Sequence, residues 1–258
     1  MTAEQARTEA RRIAATAHDR WRSVYGPSRL EVPVSAVACL ALYAGVQQPD
    51  ALDPLRRLPE LRLHEFRRDQ WARWDHAAEV WPTLHPYWMC FFEWLADPGN
   101  HLLLAGARAV VAGCLDAGLL GFVGDPHRRT RVDLLGAVLY ELRRDSFGGL
   151  ADPLTVRPRR DVQRLSTAQP GDTLTLSGVG TGTRLLPVVH DLRGRNVAPA
   201  SVRWRFQEID ELAAACLAVN TVLWGLHPSV LIGTSDSDDW LAEAHEVREA
   251  ALRRDCDH

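Results

Sequence analysis

Two features of this sequence have the residue types and the spacing for ligand chemistry. The first is S-G-V-G-T-G, residues 177–182, which closes a short β-branched and apolar run and opens a helical pattern. Alternate glycines let a chain turn sharply after a strand and bring backbone N–H groups close to a ligand at a helix start. The second is V-R-W-R-F-Q-E-I-D, which puts Glu208 just past the end of the next run. A carboxylate in that place can accept both hydroxyls of a ribose. Each feature alone is ordinary, a glycine turn in one case and a helix-capping acid in the other. Together, with Glu208 26 residues beyond Gly182, they describe half of an adenosine pocket.

Those residues need a scaffold. Beyond about residue 151, short runs at 173–176, 202–206 and 230–232 alternate with helical patterns at 183–192, 209–223 and 238–253. Such alternation predicts a parallel sheet with right-handed crossovers. The first half reads as helices instead. Thr2 and Gln5 form a capping box ahead of an amphipathic run to about Arg22, stopped by Gly26-Pro27. Pro33 can open a second, apolar helix that ends near Gly45. Further helical patterns cover 61–80, 84–95, 101–119 and 132–144, separated by proline and glycine stops. The expected fold class is α plus α/β. A helical domain spans residues 1–150, and a truncated Rossmann-like unit of three parallel strands with helices spans 151–258. Five of the nine tryptophans lie between Trp71 and Trp94, where Trp71, Trp74, Ala78 and Trp81 recur at helical spacing, as do Trp88, Phe91, Phe92 and Leu95. Stripes of that period predict a core between two helices rather than a platform for stacked bases.

Composition removes several function classes. At 46% hydrophobic and 24% charged, the chain is globular and neither disordered nor collagen-like. No apolar run reaches the ~20 residues of a membrane helix, and the charged N-terminus lacks the apolar stretch of a signal peptide. The expected compartment is the cytoplasm. Five cysteines, odd in number and without a C-x-x-C pair, agree with it. Ten histidines form no H-E-x-x-H or similar set, so no metal site is expected. A net charge of −3 argues against a general polyanion binder. All 30 basic residues are arginine, however, and nine of them fall between Arg128 and Arg164 against five acids. A local excess of this kind can track a phosphate backbone, or it can be a solvated face in a chain that uses no lysine.

L-S-G-V-G-T-G-T-R-L-L, followed by F-Q-E-I-D-E-L-A-A-A-C-L-A-V-N-T-V-L-W-G-L, resembles the S-adenosylmethionine-binding half of the N-6 adenine DNA methyltransferases. The likeness is greatest to the modification subunits of type I restriction-modification systems. In that family the first loop reads roughly D-P-x-x-G-T-G and the next strand gives G-x-E. The following helix ends N-x-x-L-x-G, which Asn220, Leu223 and Gly225 match. V-D-L-L-G-A-V-L-Y-E-L, residues 132–142, resembles the helix before the family's catalytic domain. T-V-R-P-R-R-D-V-Q-R-L, residues 155–165, resembles its Y-T-P-R-x-V segment beside the methyl donor. The resemblance covers about 132–236 and implies S-adenosylmethionine as cofactor. Gly178, Gly180, Thr181 and Gly182 would lie against its methionine end, Glu208 on the ribose and Ile209 against the adenine face. It also implies DNA as a partner, with Arg157, Arg159 and Arg160 as candidate contacts, and a helical N-terminal domain.

The sequence departs from the family at defined points. Leu176 stands where the first acid would be, Arg157 where a threonine would be, and Thr234 where an aspartate usually contacts the adenine edge. The family holds its extruded adenine with an N-P-P-Y or D-P-P-Y loop after the fourth strand, and no Pro-Pro pair occurs in this sequence. The 25 residues after Gly233 read as one amphipathic helix, so no catalytic residue is assigned. Half of a methyltransferase sheet, three strands in the order 3-2-1, leaves its first strand as an open edge, which proteins cover. The expected cover is the helical domain, a second copy or a partner chain, with segment 150–165 nearest. Three functions stay open. One is a non-catalytic relative that binds S-adenosylmethionine or a related nucleotide as a regulatory or assembly subunit. Another is an interaction module in which the loop is only a turn. The third is an active adenine methyltransferase, or one half of a split one.

Overall fold

Thr2 begins the first helix in the way its spacing to Gln5 requires. Its hydroxyl accepts the Gln5 N–H while the Gln5 side chain accepts the Thr2 N–H, a capping box on α1 (Ala3–Val24). α2 (Glu31–Val46) is apolar on every side and is buried along most of its length. The computed structural model describes residues 2–46, 52–97, 99–144 and 167–256. The first half continues with α3 (Asp53–Arg56), α4 (Leu63–Val80), α5 (Met89–Glu93), α6 (His101–Asp116), α7 (Leu119–Gly124), α8 (Pro126–Arg129) and α9 (Leu134–Arg143). The helix expected over 84–95 is instead three short pieces, with 3-10 turns at His85–Trp88 and Trp94–Ala96 on either side of α5. Pro86 has no N–H to give a longer helix, and the Phe91 carbonyl accepts the Ser35 hydroxyl at 3.0 Å, so the run tightens.

That hydroxyl is a hub of the helical half. Ser35 Oγ also accepts the indole N–H groups of Trp74 and Trp94, each at 3.1 Å. Trp74 packs against Trp88 and Phe91 with ring centroids 5.5 and 5.2 Å apart. Apart from Trp71, the aromatic stripes are core, as their period predicts.

The second half builds β1 (Thr173–Ser177), α10 (Leu186–Gly194), β2 (Arg203–Gln207), α11 (Glu211–Leu223), β3 (Val230–Gly233) and α12 (Trp240–Cys256). The strands are parallel and lie in the order β1-β2-β3, as expected from the sequence. Among the described residues the fold is twelve α-helices and this one open sheet. Trp204 and Phe206 are buried on one face of β2, in register with Val230 and Ile232. Arg203 and Arg205 alternate to the other face with Thr173 and Thr175. Alanine-rich α11 joins the halves by packing against α2 and α9, so closely that a Cβ on Gly45 would meet Leu223 Cδ2 at 2.4 Å. One apolar core runs from α1 through α2 and α11 to the sheet. Among the described residues no helix is long and apolar enough to cross a membrane.

The two rims of the sheet differ. The register turns the carbonyls of Val230 and Ile232 away from β2, and both are taken. Arg248 donates to Val230 O at 2.7 Å, and the Tyr87 hydroxyl donates to Ile232 O. On β1 the outward backbone groups belong to Thr173, Thr175 and Ser177, and none has a partner among the described residues. Segment 150–165, expected to cover that rim, lies outside the described residues.

Ser35→Ala strands two buried indole N–H groups and the Phe91 carbonyl. At ~1–3 kcal/mol for each orphaned group, it should cost about 3 kcal/mol or more. Urea unfolding followed by tryptophan fluorescence checks the value.

Candidate functional site

The turn after β1 is set by its glycines. Gly178 and Gly180 both have φ of 60°, a left-handed conformation that glycine adopts without strain. Apart from their chain neighbours, no atom of the described residues lies within 4 Å of where their Cβ atoms would stand, so among these residues this stretch of backbone is bare. At Gly182 a Cβ would come within 2.9 Å of Leu217 and Trp224, and this glycine lets the turn close on α11. The glycine N–H groups, expected to face a ligand, are used inside the protein. Gly178 donates to Gln207 O at 2.9 Å, Gly182 to Val179 O at 3.1 Å, and Gly180 to Glu208 Oε2 at 2.6 Å. Those of Val179 and Thr181 have no partner among the described residues. Glu208 Oε1 accepts the Asp210 N–H at 3.0 Å, so each oxygen of this carboxylate keeps one acceptor position.

The turn is anchored on a carboxylate that has no cationic partner among the described residues. Asp133 caps α9, its Oδ1 accepting the Gly136 N–H at 2.7 Å. The hydroxyls of Thr181 and Thr183 donate to Oδ2 at 2.5 and 2.6 Å. Asn220 Nδ2 donates to Oδ1 at 2.9 Å and to the Thr181 carbonyl at 2.8 Å. Donors from α9, the turn and α11 therefore meet on one side chain that is 1% exposed. Burial pushes the Asp133 carboxyl above its ordinary value, against the downward pull of the Thr181, Thr183, Gly136 and Asn220 donors. Gly136 belongs to the same knot, since a Cβ there would fall 2.4 Å from Asp133 Oδ2. A second tie joins the end of α9 to the start of α11, where Arg143 bonds both oxygens of Asp210 at 2.5 and 3.0 Å. Burial raises the Asp210 carboxyl, but Arg143 and the N–H groups of Ala213 and Leu212 outweigh it and hold it below its ordinary value.

Two open cavities border the end of β2. One, of about 340 Å³, is lined by Gly178, Gly180, Thr183, Glu208, Tyr140 and Arg143 among others. The other, of about 440 Å³, is lined by residues that include Ile209, Ile232, Gly233, Thr234 and Trp240. Ile209 is 64% exposed, an aliphatic side chain left uncovered next to Glu208. Both volumes suit a small organic ligand. Among the described residues no cluster of three or more His, Cys, Asp or Glu could hold a metal ion. Burial pushes the thiols of Cys39, Cys90 and Cys114 up to about 12, which removes them as nucleophiles at neutral pH.

Of the residues singled out in the sequence, Gly178, Gly180, Thr181 and Glu208 meet on the first cavity and Ile209 stands on the second. Gly182 packs inward, and Arg157, Arg159 and Arg160 lie outside the described residues. The sequence reading does not single out Asp133, Thr183 or Arg143. Asp133 has a local signal, an acid just before the apolar run L-L-G-A-V-L, which is the pattern of an N-cap. Nothing in the spacing points to hydrogen-bond partners 48 and 87 residues away. Comparison of the chain with protein-family models, curated proteins and solved structures finds no match. Fold and site by themselves define a class: a mostly helical protein whose small open parallel sheet carries cavities at its carboxyl end.

Asp133→Ala should cost about 3 kcal/mol or more, because several buried donors lose their acceptor together. Asp133→Asn should cost less, since the two threonine hydroxyls can rotate to accept from the new NH₂ group. The folded carboxyl has the higher pKa, so the native state binds its proton first as pH falls. Wild type should therefore gain stability on Asp133→Asn between neutral pH and the ordinary carboxyl range, read by urea unfolding of both proteins.

Proposed function

We propose that this chain is a truncated Rossmann-like relative of the N-6 adenine DNA methyltransferases. It binds S-adenosylmethionine or a related adenosine nucleotide at the carboxyl end of its sheet. It serves as a regulatory or assembly subunit of a restriction-modification type system and does not transfer methyl groups by itself. One observation carries the reading. The ends of β1 and β2 bring together a bare turn at Gly178 and Gly180, a carboxylate with spare acceptor positions, and an uncovered isoleucine, all bordering two cavities.

In this reading Glu208 accepts the ribose hydroxyls and Ile209 packs on the adenine. Gly178, Gly180, Thr181 and Gly182 turn the chain around the methionine end, where the N–H groups of Val179 and Thr181 are available. S-adenosylmethionine, when bound, supplies an electrophilic methyl group on sulfur. Polar groups that the resemblance implies are replaced at Leu176 and Thr234, each worth ~1 kcal/mol or more, so affinity is modest. With no Pro-Pro pair in these 258 residues, the loop that grips an extruded base has to come from elsewhere. DNA contact through Arg157, Arg159 and Arg160 and a cytoplasmic setting belong to the same proposal.

Calorimetry with S-adenosylmethionine and S-adenosylhomocysteine tests the reading. Binding is expected in the micromolar to millimolar range and should be lost in Glu208→Gln and Ile209→Asp with circular dichroism unchanged. No heat at millimolar ligand would leave the second reading, an interaction module in which Glu208 only latches the turn to Gly180 and Asp210. Methyl transfer to plasmid DNA by the purified chain alone would overturn the non-catalytic part.

The outward rim of β1, unpaired among the described residues, supports the assembly role. T-L-T-L-S reads nearly the same in both directions, so antiparallel pairing about a two-fold axis at Thr175 would oppose Thr173 with Ser177 of a second copy. Leu174 and Leu176 are only half-buried, beside a fully buried Trp204 and Phe206, and would be covered by that pairing. Light scattering should find a dimer at tens of micromolar protein. Thr175→Pro removes an outward N–H without touching the bonds to β2 and should give a folded monomer. A monomeric wild type, or a dimer that survives Thr175→Pro, would overturn this assembly.

A further inference from the structure

We propose that the outer face of α4 is a binding site for single-stranded nucleic acid, with Trp71 as the surface on which a base stacks and His64, Arg67 and Arg68 as contacts to phosphate. The site is independent of the cavities at the end of the sheet.

Four of the five tryptophans between Trp71 and Trp94 are covered by the core, and Trp74 and Trp88 are fully buried. Trp71 is 40% exposed and touches Phe92 edge to face at 6.0 Å between centroids. Residues 64, 67, 68 and 71 stand at i, i+3, i+4 and i+7, so they share a face. With Ala96 they line an open cavity of about 640 Å³.

The charge of that face is uncompensated. Glu65 is paired with Arg62 at 2.6 Å, and Asp69 with Arg73 at 2.6 and 2.9 Å, so the two acids nearest the stripe are already neutralised from outside it. Arg67 gives one N–H to the Leu95 carbonyl at 2.7 Å and keeps four. Arg68 and His64 make no hydrogen bond or ion pair among the described residues. Asp75, one turn beyond Trp71, is an acid on the same side and does not line the cavity.

The chemistry of the lining selects the ligand class. Arginine and tryptophan side chains only donate hydrogen bonds, so apart from a neutral imidazole nitrogen the described lining side chains offer no acceptor. A bound peptide needs acceptors for its own N–H groups. A nucleotide strand asks for donors to its phosphates and an aromatic face for its bases, and that is what the cavity has. An indole can stack only on an unpaired base, which favours single strands over duplex. Stacking on an indole does not distinguish one base from another, so the binding is tolerant of sequence. Val80, the other exposed apolar residue of α4, falls on the opposite side of the helix, so the face lacks the apolar stripe of a membrane-surface helix.

Fluorescence anisotropy with a labelled oligothymidylate tests the site. The single strand should bind more tightly than the same sequence as duplex. Trp71→Ala should weaken it by about tenfold, with Trp71→Phe retaining part of the affinity. Arg68→Ala should lower the slope of log affinity against log salt by about 0.7, one phosphate contact on a single strand. Glu208→Gln should leave all of this unchanged. Trp71 and Arg68 are at the surface and Glu208 is buried, and circular dichroism confirms that each variant is folded. The proposal is overturned if Trp71→Ala and Arg68→Ala bind as wild type does, or if no binding occurs below millimolar protein. It is also overturned if phosphatidylserine vesicles or polyglutamate are held equally well through Trp71.

Discussion

A carboxylate taken out of water without a counter-charge stays in place only if donors surround it, and the backbone that carries those donors is then fixed by it. Asp133 imposes that constraint here. Its four donors come from α9, from the glycine turn and from α11, three elements that are remote in sequence. The Arg143–Asp210 pair repeats the tie between α9 and α11 by opposite charge. This pair of links positions the glycine turn and the start of α11, which border the first cavity. The strands hold the turn by a single backbone bond, from the Gly178 N–H to the Gln207 carbonyl of β2.

The cost of the arrangement appears in what the neighbouring positions cannot be. Gly136 and Gly182 have no room for a Cβ, one against the carboxylate and the other against Leu217 and Trp224. Gly178 and Gly180 are glycine for a different reason, since space stands open above them and only their φ requires it. Gly136 thus permits contact, Gly182, with φ of 96°, permits contact and conformation together, and the second pair, Gly178 and Gly180, permits conformation alone. Only the second pair leaves backbone facing solvent.

The parallel sense of the three strands was legible in the sequence, because apolar runs alternating with helical periods imply crossover connections, and their order was the one the resemblance implied. The capping box at Thr2, the stops around the long helices and the burial of Trp74 and Trp88 were legible for similarly local reasons. The broken helix around Met89 was not, because Ser35, the residue that takes the Phe91 carbonyl, lies 56 positions earlier. Glu208 was recognised as an acid at a strand end, yet its bond to the Gly180 N–H depends on how two strands lie side by side. Asp133 looked like a cap and is one. Its larger part, as the shared acceptor of distant hydroxyls and an amide, exists only once the chain has folded. Trp71 shares the helical period of its neighbours, and only the packed core shows that it is the one left outside.

The contrast between the sheet's two rims limits how large an assembly can become. Arg248 and Tyr87 already occupy the outward carbonyls of β3, so a visiting strand finds no acceptor there. If β1 joins its counterpart in another molecule, the resulting six-stranded sheet ends in β3 on both sides. Each terminus is then blocked, and growth stops after one step instead of running on into a fibre.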